Sequence, residues 1–376
     1  MVLRKRKIRS LLLDFFPSPK LTLYLAKAFV VRILAVLVML VLVLTMLDLL
    51  GRSGDILAAE GNTQSDVWRY ASLRVPQLVQ TFLHNAVLLA TIITLAGLNQ
   101  NSEVIAMKAA GLSAHQILAP LLLTGLVVSG ISFVFNERIV TRATATLKAW
   151  QDVEYAQIPE DPDVRLNVYF NDGNDVLMAR ELSGREADIV LTGVTFYERD
   201  DAGMIASQVT GSRATFASPG WLVEDAMSFD VVTTQSTQEE APVLVAEGTT
   251  LDQVMLQRVD PDAETLTQLS RSIAALKAAG RTTSELEGRW WHKITGPLAA
   301  FLMPLLGAVA GFGLARSGKL FARAVIGMAL GFAYFVVENA ALAMGSFGGY
   351  PPLLAAWSPF VLFFLVGETV LIRTEE

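Results

Sequence analysis

Residues 30–50 read VVRILAVLVMLVLVLTMLDLL. Between Arg32 and Asp48 no charge interrupts a run made almost entirely of Leu, Val, Ile, Met and Ala. At a rise of about 1.5 Å per residue, roughly 20 apolar residues cross a hydrocarbon core. Backbone N–H and C=O groups find no water there, so such a run must be helical. It is too long for a signal-peptide core and no small-x-small cleavage site follows it. A retained first membrane helix is predicted.

Working outward, further apolar segments occupy 75–98, 116–135, 294–314, 320–345 and 352–372. The count is six spans, three before and three after a polar stretch at 138–285. A hydrophobic content of 52% and a mean hydropathy of +0.45 fit membrane helices joined to a water-exposed domain. The net charge of −6 is mild and argues against a nucleic-acid partner. The absence of cysteine excludes disulfides and iron–sulfur clusters. The three histidines (His84, His115, His292) are too scattered for a metal site, so no metal and no bound cofactor are expected on this chain.

Basic residues orient the spans. RKRKIR at 4–9, with Lys20, Lys27 and Arg32, places the N-terminus in the cytoplasm. With six spans the C-terminus is cytoplasmic too. The loops carrying Lys108 and carrying Arg316, Lys319 and Arg323 then fall inside, and 138–285 falls outside. The expected organisation is 1–137, 138–285 and 286–376. Within the insert, 164–170, 188–198, 204–209, 213–216 and 221–231 read as short strands separated by turn residues. That pattern predicts a sandwich or jelly roll. Residues 261–280 read as a helix opened by Pro261-Asp262 and closed by Gly280.

Gly313–Lys319 matches GxxxxGK of a phosphate-binding loop. Leu320 stands where a magnesium-binding hydroxyl is needed, and the motif follows a membrane helix instead of a strand. It is read as a turn. Residues 99–114 (NQNSEVIAMKAAGLSA) lie between spans two and three on the cytoplasmic side. Ile105, Ala109 and Leu112 can share one helix face, with Glu103 and Lys108 elsewhere. The stretch is either a solvated connector or a docking helix whose small residues (Ala106, Ala109, Ala110, Gly111) allow close approach of a partner.

NSEVIAMKAAGLS resembles the coupling-helix motif of the lipopolysaccharide-export ABC-transporter permeases of LptF/LptG type. RVPQLVQ at span two and PPLLAAWSPF at the last span look closer to LptG. The resemblance covers nearly the whole chain: six spans, a coupling helix at 99–114 after the second, and a large insert after the third. It implies a membrane α-helical protein of the bacterial inner membrane, with a periplasmic all-β jelly-roll-like insert between helices 3 and 4. It also implies a cytoplasmic ABC ATPase dimer, a homologous six-span permease and a periplasmic bridge protein with a jelly-roll fold as partners. The substrate would be lipopolysaccharide or a similar anionic glycolipid, and ATP and magnesium would belong to the ATPase. By carry-over, Glu103 would pair with a basic residue of the ATPase. Ala110 and Gly111 would pack in its groove, with Met107 in the same coupling set.

Arg52, Arg138, Arg142 and Lys148 sit at the outer membrane edge with Asp48 and Arg74. Guanidinium forks and ammonium groups there suit a phosphate-bearing headgroup, or ordinary interfacial anchoring. Glu338, beside Asn339, is an acid within span five and is expensive in lipid. Gly327-x-x-x-Gly331 is a small-xxx-small face for either a partner helix or packing within the chain. Trp290, Trp291, His292 and Lys293 suit a headgroup belt. No nucleophile, base and oxyanion-donor pattern emerges, so a non-catalytic transport subunit is predicted. The rival is a scaffold that transmits ATPase motion without moving lipid.

Overall fold

The computed structural model describes residues 16–59, 61–156, 165–184, 189–200, 203–231, 233–239, 241–249, 254, 259–278, 280–311 and 320–373. The GxxxxGK stretch at 313–319 and the basic run at 4–9 lie outside the described residues.

Among the described residues, six helices are long and apolar enough to cross a membrane. Helix α1 spans Pro19–Ala58. Ser18 caps it, accepting from Leu21 N at 3.4 Å, and Pro19 pre-sets its first turn. At about 60 Å it is roughly twice the hydrocarbon thickness, so the 30–50 run is the middle of a longer rod. Helix α2 (Gln64–Gln100) opens at Thr63, whose N–H donates to Asp66 Oδ2 at 2.9 Å. The short α3 (Glu103–Ala109) follows, then α4 (Ala114–Phe135). A π-helical turn, Asn136–Val140, joins α4 to α5 (Thr141–Asp152), with Thr141 N–H donating back to Asn136 O. Span three therefore does not stop near residue 137 but continues outward as a stalk.

Between α5 and the later helices lies an antiparallel sheet of eight strands: β1 Arg165–Asp172, β2 Asp175–Ser183, β3 Val190–Arg199, β4 Ile205–Ala217, β5 Gly220–Glu224, β6 Met227–Asp230, β7 Gln235–Gln238 and β8 Val243–Val245. The predicted strands 204–209 and 213–216 are one long strand, β4. The predicted strand 221–231 is two. Asp225, at φ 54°, breaks it, so β5 pairs with the 213–217 half of β4 and β6 with the 207–210 half. Strand β2 is not among the expected strands; it pairs with β1 through a tight turn with Gly173 at φ 62°. One face of the sheet is apolar: Phe170, Leu177, Ala179, Val194, Trp221 and Val223 share a single core.

Helix α6 (Leu266–Ala278) returns the chain to the membrane, followed by α7 (Ser284–Gly311), α8 (Leu320–Ser346) and α9 (Pro352–Arg373). Helix α7 is the axis of the bundle. Close approach is possible because glycines face it: a methyl at Gly125 would lie 2.8 Å from Ala300 O. Leu302, Met303, Leu305 and Leu306 of α7 are all but fully buried.

Candidate functional site

The short helix between spans two and three is built from its ends. Ser102, at φ 61°, turns the chain out of α2 and sets the rotation of α3. At the other end Gly111 adopts φ 88°. Leu112 N donates to Met107 O at 3.1 Å and Gly111 N to Lys108 O at 3.0 Å. These two bonds form a Schellman motif, which needs a residue free of Cβ strain at Gly111. Ser113 then caps α4: Gln116 N donates to Ser113 Oγ at 3.1 Å, and Ser113 N to Gln116 Oε1 at 3.0 Å. The S-x-x-Q spacing of this capping box is legible in the sequence, and it was missed.

The rotation corrects the expected face. Val104 and Met107, three residues apart, are buried in the helical core with Ala114 and Ile117, and Leu112 packs against the same core. Ile105 is 55% exposed and Ala109 is exposed as well. Met107, expected among the partner-facing residues, instead anchors the helix to the bundle. The exposed residues are Ile105, Ala106, Lys108, Ala109, Ala110 and Gly111. Glu103 stands at the helix N-terminus, where the dipole favours a carboxylate. It accepts from Tyr24 Oη at 3.2 Å and from Asn101 Nδ2 at 3.4 Å.

At the same end of the bundle, His115 Nε2 and Glu368 Oε1 lie 2.9 Å apart and join span three to span six. The N-terminal end of α1, the short helix and the C-terminal end of α9 therefore share one side of the membrane, opposite the sheet.

The opposite end is a second cluster. Asp48 holds α1 against α2 through Tyr70 Oη at 2.9 Å and Arg74 Nε at 3.2 Å. Asn62 Nδ2 donates to the carbonyls of Ile56 and Tyr155 at 2.8 and 2.7 Å. Trp150 of the stalk packs edge-on to Tyr155. Lys148 forms an ion pair with Asp260, Leu266 N donates to Glu137 Oε2 at 2.8 Å, and Trp290 Nε1 to Ser270 Oγ at 2.8 Å. The base of the insert is thereby fastened to spans three and four. Arg52 lies 3.9 Å from Asp55. Arg138 and Arg142 project from the stalk into solvent. Of the four expected headgroup residues, Lys148 serves the base of the insert, Arg52 faces Asp55 on its own helix, and Arg138 and Arg142 stand exposed about one turn apart on the stalk.

Within the membrane, Glu338 is 5% exposed; it accepts from Tyr334 Oη at 2.9 Å and faces His292 Nδ1 at 3.6 Å. Gly327 and Gly331 are buried within this chain, and a methyl at Gly331 would collide with Leu88 of α2. The close approach at Gly331 is spent on packing against span two. Sequence spacing could not choose between that and a partner helix.

The family described as "Lipopolysaccharide export system permease LptF/LptG" matches residues 23–373. The lipopolysaccharide export system permease protein LptG of Escherichia coli K12 is 24% identical over 311 residues, covering 81% of this chain and 84% of that protein. The LptG of Haemophilus influenzae is 23% identical over 318 residues, covering 81% and 86%. The match embraces the six helices, the short helix and the sheet together, and this multi-pass membrane chain belongs to the LptF/LptG family of lipopolysaccharide export permeases.

Proposed function

We propose that this chain is the LptG-type permease subunit of an ABC transporter that extracts lipopolysaccharide, or a similar anionic glycolipid, from the inner membrane. The carrying observation is the short helix: its apolar face is locked into the bundle and its small-residue face is exposed, with Glu103 at its head. Such a face suits a groove on a cytoplasmic ATPase dimer, and Glu103 suits a cation there. Both termini lie in the cytoplasm in this reading, and the sheet lies in the periplasm. A second six-span permease completes the cavity. A periplasmic bridge protein receives the lipid from the sheet. The outer arginines Arg52, Arg138 and Arg142 meet phosphates as the headgroup passes. The chain itself holds no cofactor; ATP and magnesium act on the partner, whose closure drives the helix and narrows the cavity.

The test is reconstitution with the ATPase and the second permease in proteoliposomes, followed by ATP-dependent release of lipopolysaccharide. Glu103→Lys reverses the charge that meets the partner and weakens ATPase association by about 2–5 kcal/mol if the pair is buried. Unchanged association and transport in that variant would defeat the coupling assignment. ATP turnover with intact assembly but no lipid release would favour a motion-transmitting scaffold. Photo-crosslinkers at Val168, Phe170, Val194 and Phe196, which lie in or against the apolar face of the sheet, should capture glycolipid only with ATP. The exposed Tyr169 is the control.

A further inference from the structure

We infer that the coupling element is a composite of α3 and the first turns of span one, with Tyr24 as its positioning residue. This rests on the coupling role proposed above. A shared core and one direct bond join the pieces. Leu25, Phe29 and Ile33 of α1 are buried in the same core as Val104 and Met107 of α3. Tyr24, adjacent to Leu25 in the same turn, donates its hydroxyl to the Glu103 carboxylate, 3.2 Å from Oε2 and 3.4 Å from Oε1.

The consequence is mechanical. The apolar contacts fix how deeply α3 sits. Together with the left-handed Ser102, the two large buried side chains of this seven-residue helix, Val104 and Met107, also set which face is turned to the bundle. The phenol–carboxylate bond supplies a second, off-axis point of attachment. It also orients the Glu103 carboxylate, which has lone pairs to spare for a partner cation. Beyond these turns α1 stays packed along α2 on one side and is uncovered on the other. Leu34, Val38, Leu42 and Met46, spaced by four, are all more than half exposed. A rod tied to α3 at its cytoplasmic end and uncovered along one face follows a displacement of that end. Displacement of α3 therefore reaches span one through the Tyr24–Glu103 bond as well as through span two.

The experiment is Tyr24→Phe in the complete complex, which removes one oxygen and leaves the ring. ATPase association is expected to stay within about twofold of wild type, while lipid released per ATP falls about three- to tenfold, the worth of one hydrogen bond at a half-exposed site. Glu103→Lys is measured alongside. Tyr24→Phe with unchanged lipid per ATP, while Glu103→Lys loses the ATPase, overturns this inference and leaves the coupling role standing. Loss of assembly in parallel with transport in Tyr24→Phe also overturns it, since Tyr24 would then serve folding alone. If Glu103→Lys keeps both association and transport, the coupling role itself fails.

Discussion

Span one and span four are both membrane helices, and they are opposites. In the central window of α1, 17% of residues are buried within the chain; in that of α7 the share is 67%. The helix with the purest apolar sequence is the one least covered by its own protein. In water this would be a contradiction. In a bilayer the solvent is as apolar as leucine, so hydropathy measures affinity for lipid and not for a protein core. Helix α7 carries Pro297, Pro304, Gly296 and Gly307, and it holds the bundle together by letting other backbones approach. Helix α1 is paved with Leu, Val and Met, which suit a bilayer on the face its own chain leaves uncovered.

The contrast can be broken most forcefully at α7. A side chain at Gly307 would collide with Thr91 of α2, whose Cγ2 lies 2.7 Å from the position of a Cβ. Gly307→Leu should cost up to about 3 kcal/mol of overpacking, read as a lowered unfolding midpoint in detergent. An unchanged midpoint would mean that spans two and four are not in register as described. A smaller effect is expected where span four meets span five. Glu338→Ala strips Tyr334 of its acceptor in a buried site and should cost about 2 kcal/mol in the same assay. Smaller still is the tie at the outer end of span one. Arg74→Ala loses the pairing with Asp48 on a partly exposed surface, worth at most about 1 kcal/mol. The smallest effect sharpens the comparison. Leu42 is 61% exposed, so Leu42→Ala should leave the isolated chain within about 0.5 kcal/mol of wild type. If the same variant weakens association with the second permease, that face of α1 meets protein; if it does not, the face meets lipid.

The cytoplasmic and outer ends were unequally legible for a related reason. The short helix was visible because caps and small residues are local signals: Glu103 at its head, Gly111 at its tail. Its rotation was not, since the alternative faces Ile105–Ala109 and Val104–Met107 are equally apolar and the left-handed Ser102 chose between them. Lys148 read as a headgroup ligand because nothing in the sequence announces that Asp260, more than a hundred residues on, returns to its side.

The sequence alone determined that this chain crosses a membrane six times with a β-rich insert after the third span. Long uncharged runs have only one way to satisfy their backbone in lipid, and alternating short segments only a few ways in water. Tertiary structure alone decided which faces of those helices pack within the chain and which stay uncovered. It also decided that β4 serves two partners on one edge, that Gly331 packs on Leu88, and that Tyr24 reaches Glu103. Each of these depends on the relative rotation and offset of segments far apart in the chain, and a period of 3.6 or 2 residues carries no information about either.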